Sequence, residues 1–463
     1  MMFLPELYIF LFAVFFLFLS LRKKKKPVFV TARLLALIGL AVAFLCTGVK
    51  GELFSGAYRV DLFSQVFKLL LVAGFCLVIF MFESKDDTED DYLPEYFMFL
   101  GFSTLGLMML VSAVELISIV VSLEISSFSL YAIVPLRKAQ TRTQLEAAMK
   151  YLFFGAIATG IMLYGMGYLY GMAHSTYLVD IMHRLPQFLA QRLGILALVL
   201  TLTAFFFKLS LFPLHFWAPD VYEGASNVTT TFIATVPKIA ATALIIRLTM
   251  LTSYAPSELA LIILVLAAFS MTLGNLVGLV QKDVKRLLAY SGIAHAGYLM
   301  MGILPLNGDG GAAAIYYIAI YLFMSLACFY VVILLSRKGE NVSVADLAGL
   351  SGRSPLLAFT LAVAAFSLAG IPPTGGFTGK LFLFVSAFRA GYLSIVLIGA
   401  VNAVISLFYY LNLVRMSYSR EAEDRGAIKL AFHEKALCYI FNILIIFMGL
   451  MPFGLLDIFR RAI

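Results

Sequence analysis

Four ionisable side chains stand inside long apolar runs: Glu124 in VSLEISSFSL, Lys208 in FFFKLSLFP, Lys238 in IATVPKIAAT and Lys380 in TGGFTGKLFLF. A charge at the centre of a membrane helix costs about 2.5–3.5 kcal/mol on insertion scales. Four of them cost on the order of 10 kcal/mol, so each needs a purpose. The residue types point to proton transfer. Burial disfavours an ammonium, and a nearby carboxylate restores it. A Glu–Lys pair whose separation changes is therefore a proton switch. With Glu124 close, Lys208 keeps its proton; with Glu124 withdrawn, the proton passes on. Neutral lysine is a competent relay member, and Lys208, Lys238 and Lys380 suggest a lateral chain of such members near the membrane midplane.

The plainer reading of any membrane lysine is that it snorkels to the interface. That reading is weak for Lys208 and Lys380, which lie within a few residues of helix breaks, and weaker for Lys238. Lys68 and Lys150 lie near helix ends, and there snorkelling is expected. Glu115 and Glu124 are nine positions apart, which puts them on opposite faces of one helix. Glu124 is mid-span and followed by Ser126, Ser127 and Ser129, whereas Glu115 is expected to reach headgroups at the outer end. His295, in AYSGIAHAGYLM between Ser291 and Tyr298, has two open readings. One is a relay between Lys238 and Lys380, since imidazole titrates near neutrality. The other is a hydrogen-bonded core histidine. His215, in FPLHFW, is expected to support a break.

Nothing in the chain suggests a redox cofactor of its own. No histidine pair is placed for haem, no GxGxxG follows a strand, and no CxxC spacing suggests a metal or cluster. Cys46, Cys76, Cys328 and Cys438 each sit alone in an apolar run and read as packing residues.

The elements that must hold these residues are membrane helices. The chain has 463 residues, 62% hydrophobic and 13% charged, with mean hydropathy +0.97. Soluble domains are about 45–50% apolar and about 25% charged. A soluble enzyme and a sizeable extramembrane domain are both excluded. The runs are continuous rather than alternating, which argues against a β-barrel. A spanning helix needs about 20 apolar residues. Runs can be placed near 3–21, 29–48, 63–83, 95–112, 113–135, 148–170, 191–213, 228–252, 256–279, 287–304, 311–336, 354–392, 394–417 and 435–456. The N-terminal run precedes its basic residues and shows no cleavage site, so it reads as a retained helix rather than a signal peptide.

Two runs are interrupted. In the seventh, AFFFKLSLFPLHFWAPDVYEGA, Pro213 and Pro219 read as the breakers. In the twelfth, FSLAGIPPTGGFTGKLFLF, they are Pro372, Pro373, Gly375, Gly376 and Gly379. Ordinary proline kinks are the bland alternative. Broken segments five helices apart are, however, what an inverted-repeat transporter shows. The division is three leading helices over 1–94, a first repeat of helices 4–8 over 95–252, a second of helices 9–13 over 253–417, and a trailing helix over 418–463. GYLYG (167–171) and GNLVG (274–278) read as helix-packing surfaces.

Basic residues gather in the connections after odd-numbered runs: Arg22–Lys26, Arg137/Lys138/Arg142, Lys282/Lys285/Arg286, Arg337/Lys338/Arg353, and Arg415 through Lys435. The positive-inside rule makes these cytoplasmic and places both termini on the far side. The acidic stretch SKDDTEDD (84–91) is permitted there because acidic residues count little. The net charge of +8 therefore reports topology, not nucleic-acid binding.

Three segments carry a family resemblance: LFPLHFWAPDVYEGA (211–225), VKRLLAYSGIAHAGYL (284–299) and SPLLAFTLAVAAFSLAGIPPTGGFTGKLFLF (354–384). Over nearly its whole length the chain resembles the antiporter-like membrane subunits of proton-pumping NADH–quinone oxidoreductase, respiratory complex I. It is more similar to the subunit N branch than to L or M. LEISSFSLYAIV lacks the Trp those branches carry before the glutamate, TTTFIATVPKIA replaces their His-Ala-Ala-x-Met-Val, and Lys380 stands where M has a glutamate. One departure is Ser226–Thr229, where the family usually has Pro-Thr-Pro.

The resemblance implies an all-α polytopic membrane protein of about fourteen helices with two inverted five-helix repeats. It implies Glu124, Lys208, Lys238 and Lys380 as proton-transfer residues. It also implies a non-redox subunit of a translocase, with flavin, iron–sulfur clusters and quinone held by partner subunits. Neighbours would be other antiporter-like and small membrane subunits and the lipid bilayer, in a bacterial plasma (inner) membrane. Protons would enter near Lys208 and leave past Lys380. The rival readings are a subunit of a multisubunit sodium/proton antiporter, and an architectural subunit whose lysines no longer pump.

Overall fold

The computed structural model describes residues 1–21, 28–82, 92–138, 141–189, 192–250, 257–336, 339–419 and 426–463. The basic run 22–26, the acidic stretch 84–91, Arg337/Lys338 and residues 420–425 of the last basic connection lie outside the described residues.

The chain begins with α1 (Leu4–Ser20), α2 (Val28–Leu45), the hairpin β1 (Gly51–Leu53) and β2 (Tyr58–Val60), α3 (Leu62–Met81), α4 (Leu93–Ser112) and α5 (Leu116–Ile133). α6 (Thr141–Ala173), α7 (Leu178–Leu189), α8 (Arg192–Leu209), α9 (Trp217–Gly224) and α10 (Asn227–Met250) follow. Next come α11 (Ser257–Gly278), α12 (Val284–Ile303), α13 (Gly308–Leu335), the short α14 (Leu350–Arg353) and α15 (Pro355–Ala369). The chain closes with α16 (Gly375–Arg389), α17 (Leu393–Tyr418), α18 (Phe432–Leu450) and α19 (Pro452–Ala462). Among the described residues eleven helices are long and apolar enough to cross a membrane, and α1 and α15 are shorter apolar helices. The all-α polytopic membrane fold expected from composition is the fold observed.

Burial is uneven across these helices, and the unevenness positions the site. The apolar stretch of α10 is 100% buried and that of α13 is 89% buried, against 28% for α2 and 33% for α6 and α17. Lipid tails are as apolar as leucine, so a polar side chain is tolerated only where other helices screen it. α12 is the extreme case. Lys285, Arg286, Ser291 and His295 make it too polar for the eleven, yet nearly all its side chains are buried. The outer helices act as solvent for the polar inner ones.

Helix starts follow local chemistry. Asp61, Asp283 and Asn307 accept backbone N–H groups at the first turns of α3, α12 and α13, satisfying amides that have no intrahelical acceptor. At the departure Ser226–Thr229, Ser226 Oγ accepts the Thr229 N–H at 3.1 Å and donates to Thr229 Oγ1 at 2.7 Å. A serine cap thus starts α10 where the family resemblance expected proline.

Several elements were not expected. α7 reads LVDIMHRLPQFL, and Ile181 and Leu185 on one face are fully buried. Its apolar residues recur at helical spacing rather than continuously, so no run marks it. The run at 435–456 is two helices, because Pro452 opens the separate amphipathic α19. α6 starts at Thr141, two turns before its apolar run. The β1–β2 hairpin, with Gly51 opposite Val60, also carries no apolar signal. Gly274 behaves as a packing glycine, since a Cβ there would meet Tyr290 O and Ala294 N at 2.7 Å. Gly167 and Gly171 have nothing within 4 Å. The GYLYG packing reading therefore fails within this chain.

Candidate proton-relay site

The two interrupted segments end their first halves in the same way. After α8, Ser210 takes φ 61°. Its N–H reaches Phe207 O at 2.9 Å, and Leu211 N–H reaches Phe206 O at 2.9 Å. After α15, Gly370 takes φ 88°, with Gly370 N–H on Ser367 O at 3.0 Å and Ile371 N–H on Phe366 O at 2.9 Å. Both are Schellman stops with a left-handed residue after the helix. Pro213 and Pro373 follow three residues later, and Pro372–Pro373 and Phe212–Pro213 are cis. The helix then restarts as α9 and α16.

Four breaker assignments need correction. Pro219 is the third residue of α9, a first-turn position whose N–H has no helical acceptor, so proline is harmless there. Gly375 and Gly376 open α16 rather than break it. A Cβ on Gly376 would collide with Ser367 O, and one on Gly375 would sit 2.8 Å from Ile320 Cδ1. They let α16 approach α15 and α13 closely. Gly379, inside α16, likewise faces Tyr317.

Lys380 uses the second break. Its Nζ donates to Leu368 O at 2.8 Å and Ala369 O at 2.9 Å. These are final carbonyls of α15, which carry the negative end of its dipole. The Tyr298 ring lies 4.9 Å from the same Nζ. Lys208 is the penultimate residue of α8, and its Nζ donates to Tyr151 Oη at 3.3 Å. Tyr151 stacks on Trp217 at 4.9 Å and meets Tyr131 edge-on at 5.1 Å. Glu124 is half-buried on α5 and accepts from Thr159 Oγ1 at 2.7 Å. Its carboxylate makes no ion pair with Lys208, whose hydrogen bond goes to Tyr151 instead.

Lys238, in the middle of α10, makes one long hydrogen bond to Gly292 O at 3.4 Å and lies 5.6 Å from the Tyr321 ring centre. A Cβ at Gly292 would stand 2.9 Å from Nζ, so the glycine is what leaves room for the ammonium. Lys238 and His295 share a cavity of ≈ 10 Å³ walled also by Tyr317 and Tyr321, near the lower limit for one water. His295 Nδ1 pairs with Tyr317 Oη at 2.5 Å and Nε2 with Tyr410 Oη at 3.0 Å. Tyr410 Oη in turn bonds Ser291 Oγ. His295 is thus both a hydrogen-bonded core histidine and a wall of the Lys238 cavity. His215 sits beside the first break, its ring 4.2 Å from Phe216 and 5.8 Å from Phe212.

The tyrosines are what sequence reasoning missed. Tyr151, Tyr317, Tyr321 and Tyr410 each approach a relay residue. The available signal was a phenol inside an apolar helix, which needs a polar partner.

Three other charges depart from expectation. Lys68 does not snorkel: it is 1% exposed and pairs with the fully buried Glu6 at 2.7 Å, while Tyr58 Oη donates to the same carboxylate at 2.7 Å. The ion pair joins α1 to α3. Glu115 is buried too, and caps α5 by accepting from Ser118 N–H at 2.7 Å instead of reaching headgroups. Burial raises its carboxyl, but hydrogen bonds from Ser118, Thr176 and Ile117 hold it below the usual carboxylate range. Lys150 is half-exposed but held by Asp220 and Glu146, each at 2.6 Å. Arg286 completes that cluster with Asp220 at 2.8 Å and Glu223 at 2.6 Å. All four cysteines are buried free thiols. Among the described residues no group of three His, Cys, Asp or Glu side chains is placed to hold a metal.

The family described as "NADH:quinone oxidoreductase/Mrp antiporter, TM" matches residues 113–406. The curated "NADH-quinone oxidoreductase subunit N 2" of Opitutus terrae is 44% identical over 429 residues, 92% of this chain and 90% of that protein. Its namesake in Syntrophobacter fumaroxidans is 41% identical over 465 residues, covering 100% of this chain and 98% of the other. This chain belongs to the NADH-quinone oxidoreductase subunit N family. Among solved structures, a chain of respiratory complex I from Thermus thermophilus with bound aureothin matches this chain with TM-score 0.84 and 32% identity over 98% of both. A chain of the Mrp complex from Dietzia matches with TM-score 0.85 at 18% identity, over 99% of this chain and 96% of the other. That likeness is one of fold alone.

Proposed function

We propose that this chain is a non-redox, proton-translocating membrane subunit of an NADH–quinone oxidoreductase. The observation that carries the relay is a contrast between lysines. Lys68 is buried with a carboxylate at 2.7 Å, as a structural charge should be. Lys208, Lys238 and Lys380 are equally buried, but among the described residues they meet phenols, carbonyls and rings instead of a carboxylate. An ammonium without a fixed counter-ion can lose its proton at low cost, which is what a relay member must do.

In this reading Glu124 approaches Lys208 to load it and withdraws towards Thr159 to release the proton. The proton passes to Lys238, then through one water in the shared cavity to His295 with its Tyr317 and Tyr410 partners, and on to Lys380. The α15 carbonyls stabilise the final ammonium until it discharges. Residues 95–252 and 253–417 form the two repeats, and the matching Schellman stops after α8 and α15 support that division. Flavin, iron–sulfur clusters and quinone belong to partner subunits, in a bacterial inner membrane with both termini periplasmic.

Gentle solubilisation tests the assembly. The chain should migrate with flavin- and iron–sulfur-containing subunits. Migration with small antiporter proteins instead would replace this reading with the sodium/proton antiporter one.

A further inference from the structure

At one end of the bundle, the N-terminus of α13, the last turn of α16 and the amphipathic α19 enclose a cavity of ≈ 130 Å³. Asn307, Asp309, Phe382, Ser386, Arg389 and Arg460 line it. Ser386 is 7% exposed and its Oγ has no hydrogen-bond partner. Leaving a buried hydroxyl unpaired is costly, so such a group marks a position where a ligand oxygen would be welcome.

The rest of the lining offers mainly positive charge and donors. Arg389 is exposed in the last turn of α16 and has no carboxylate partner among the described residues. Arg460 pairs with Asp309, the one acidic wall residue, at 3.2 Å and more loosely with Asp457 at 3.8 Å, so Arg389 is the uncommitted cation of the lining. Asn307 Oδ1 takes the Gly310 N–H at 2.8 Å. The first-turn amides of Gly308 and Asp309 have no intrahelical acceptor, and the positive end of the α13 dipole adds to them. Phosphate oxygens suit such a set. Apolar surface lies beside the cavity: Phe453 meets the lining residue Phe382 ring to ring at 6.1 Å and is itself 70% exposed. α19 has the form of a helix lying in the membrane interface, with Arg460 and Arg461 in its last turn.

We propose that this cavity binds the phosphate headgroup of an anionic phospholipid, whose acyl chains run along α16 and α19. Arg389 and Arg460 grip the phosphate, and Ser386 Oγ donates to one of its oxygens. The site is independent of the proton relay.

The test uses the assembled complex in mild detergent, loaded with phosphatidylglycerol and read by native mass spectrometry. Arg389→Gln should weaken retention of the lipid about tenfold, and Arg389→Gln/Arg460→Gln should weaken it further. Arg461→Gln, outside the cavity lining, should retain it as the wild type does. Phosphatidylcholine should be held less tightly than phosphatidylglycerol. Millimolar inorganic phosphate should leave the lipid in place; displacement would overturn the lipid assignment in favour of free phosphate. Unchanged retention in Arg389→Gln would overturn the site outright, and that exposed position decides the matter even if the double variant fails to assemble.

Discussion

A buried lysine is informative through what it touches. Lys380 holds two helix-end carbonyls, Lys208 a phenol, and Lys238 little more than one distant carbonyl beside a water-sized space. Each arrangement tolerates either protonation state, because none supplies a full compensating charge. The relay therefore predicts a clear phenotype. Lys208→Ala and Lys380→Ala should each lower proton pumping by about 10²-fold, measured as quinone-dependent acidification in vesicles, while the complex still assembles. Normal pumping in both variants would leave only an architectural role.

Two elements outside the relay show how charge can serve structure instead. The Glu6–Lys68 pair fastens α1 to α3 in a fully buried setting. Removing one partner of such a pair costs about 3–5 kcal/mol, whereas replacing both with apolar residues is often neutral. Lys68→Met should thus destabilise the solubilised protein, and Glu6→Leu/Lys68→Met should recover most of the loss in thermal unfolding. A double variant as weak as the single one would contradict a purely structural pair.

The second tie lies at the start of α3. Asp61 accepts from Ser64 N–H and pairs with Arg247 of α10 at 3.0 Å. Burial raises the Asp61 carboxyl, but Arg247 and Ser64 more than offset this and hold it below the usual carboxylate range. Its folded pKa is below its unfolded one, so its contribution is complete above the ordinary aspartate value of about 3.9 and fades as pH falls through the folded value. Melting temperature should therefore drop on acidification below about pH 4. Asp61→Asn should lower it at neutral pH and flatten that acid dependence; an unaltered acid slope would show that other groups govern it.

At the scale of the whole molecule, the fold is a polar interior wrapped in apolar helices. α10, α12 and α13 can carry lysine, histidine and tyrosines because they are buried, while α2, α6, α11, α17 and α18 carry much of the exposed apolar surface. Orientation should follow the basic connections. A C-terminal alkaline phosphatase fusion should be active, and a fluorescent-protein fusion that matures only in the cytoplasm should stay dark; the reverse pattern would place the termini inside.

Membrane class, most helix positions, the two breaks and the four mid-membrane charges were legible in the sequence. The physical reason is that hydrocarbon imposes a length and a polarity on every segment, so exceptions stand out one residue at a time. What a charge meets is set by other helices, and only the tertiary structure decided that. It made Lys68 a structural partner of Glu6, turned Glu115 into a helix cap and moved Gly375 and Gly376 from the break to a close helix contact. It also brought Tyr151, Tyr317 and Tyr410, distant in the chain, against Lys208 and His295. Those pairings depend on how buried faces pack together, and a hydropathy pattern records only that the faces are apolar.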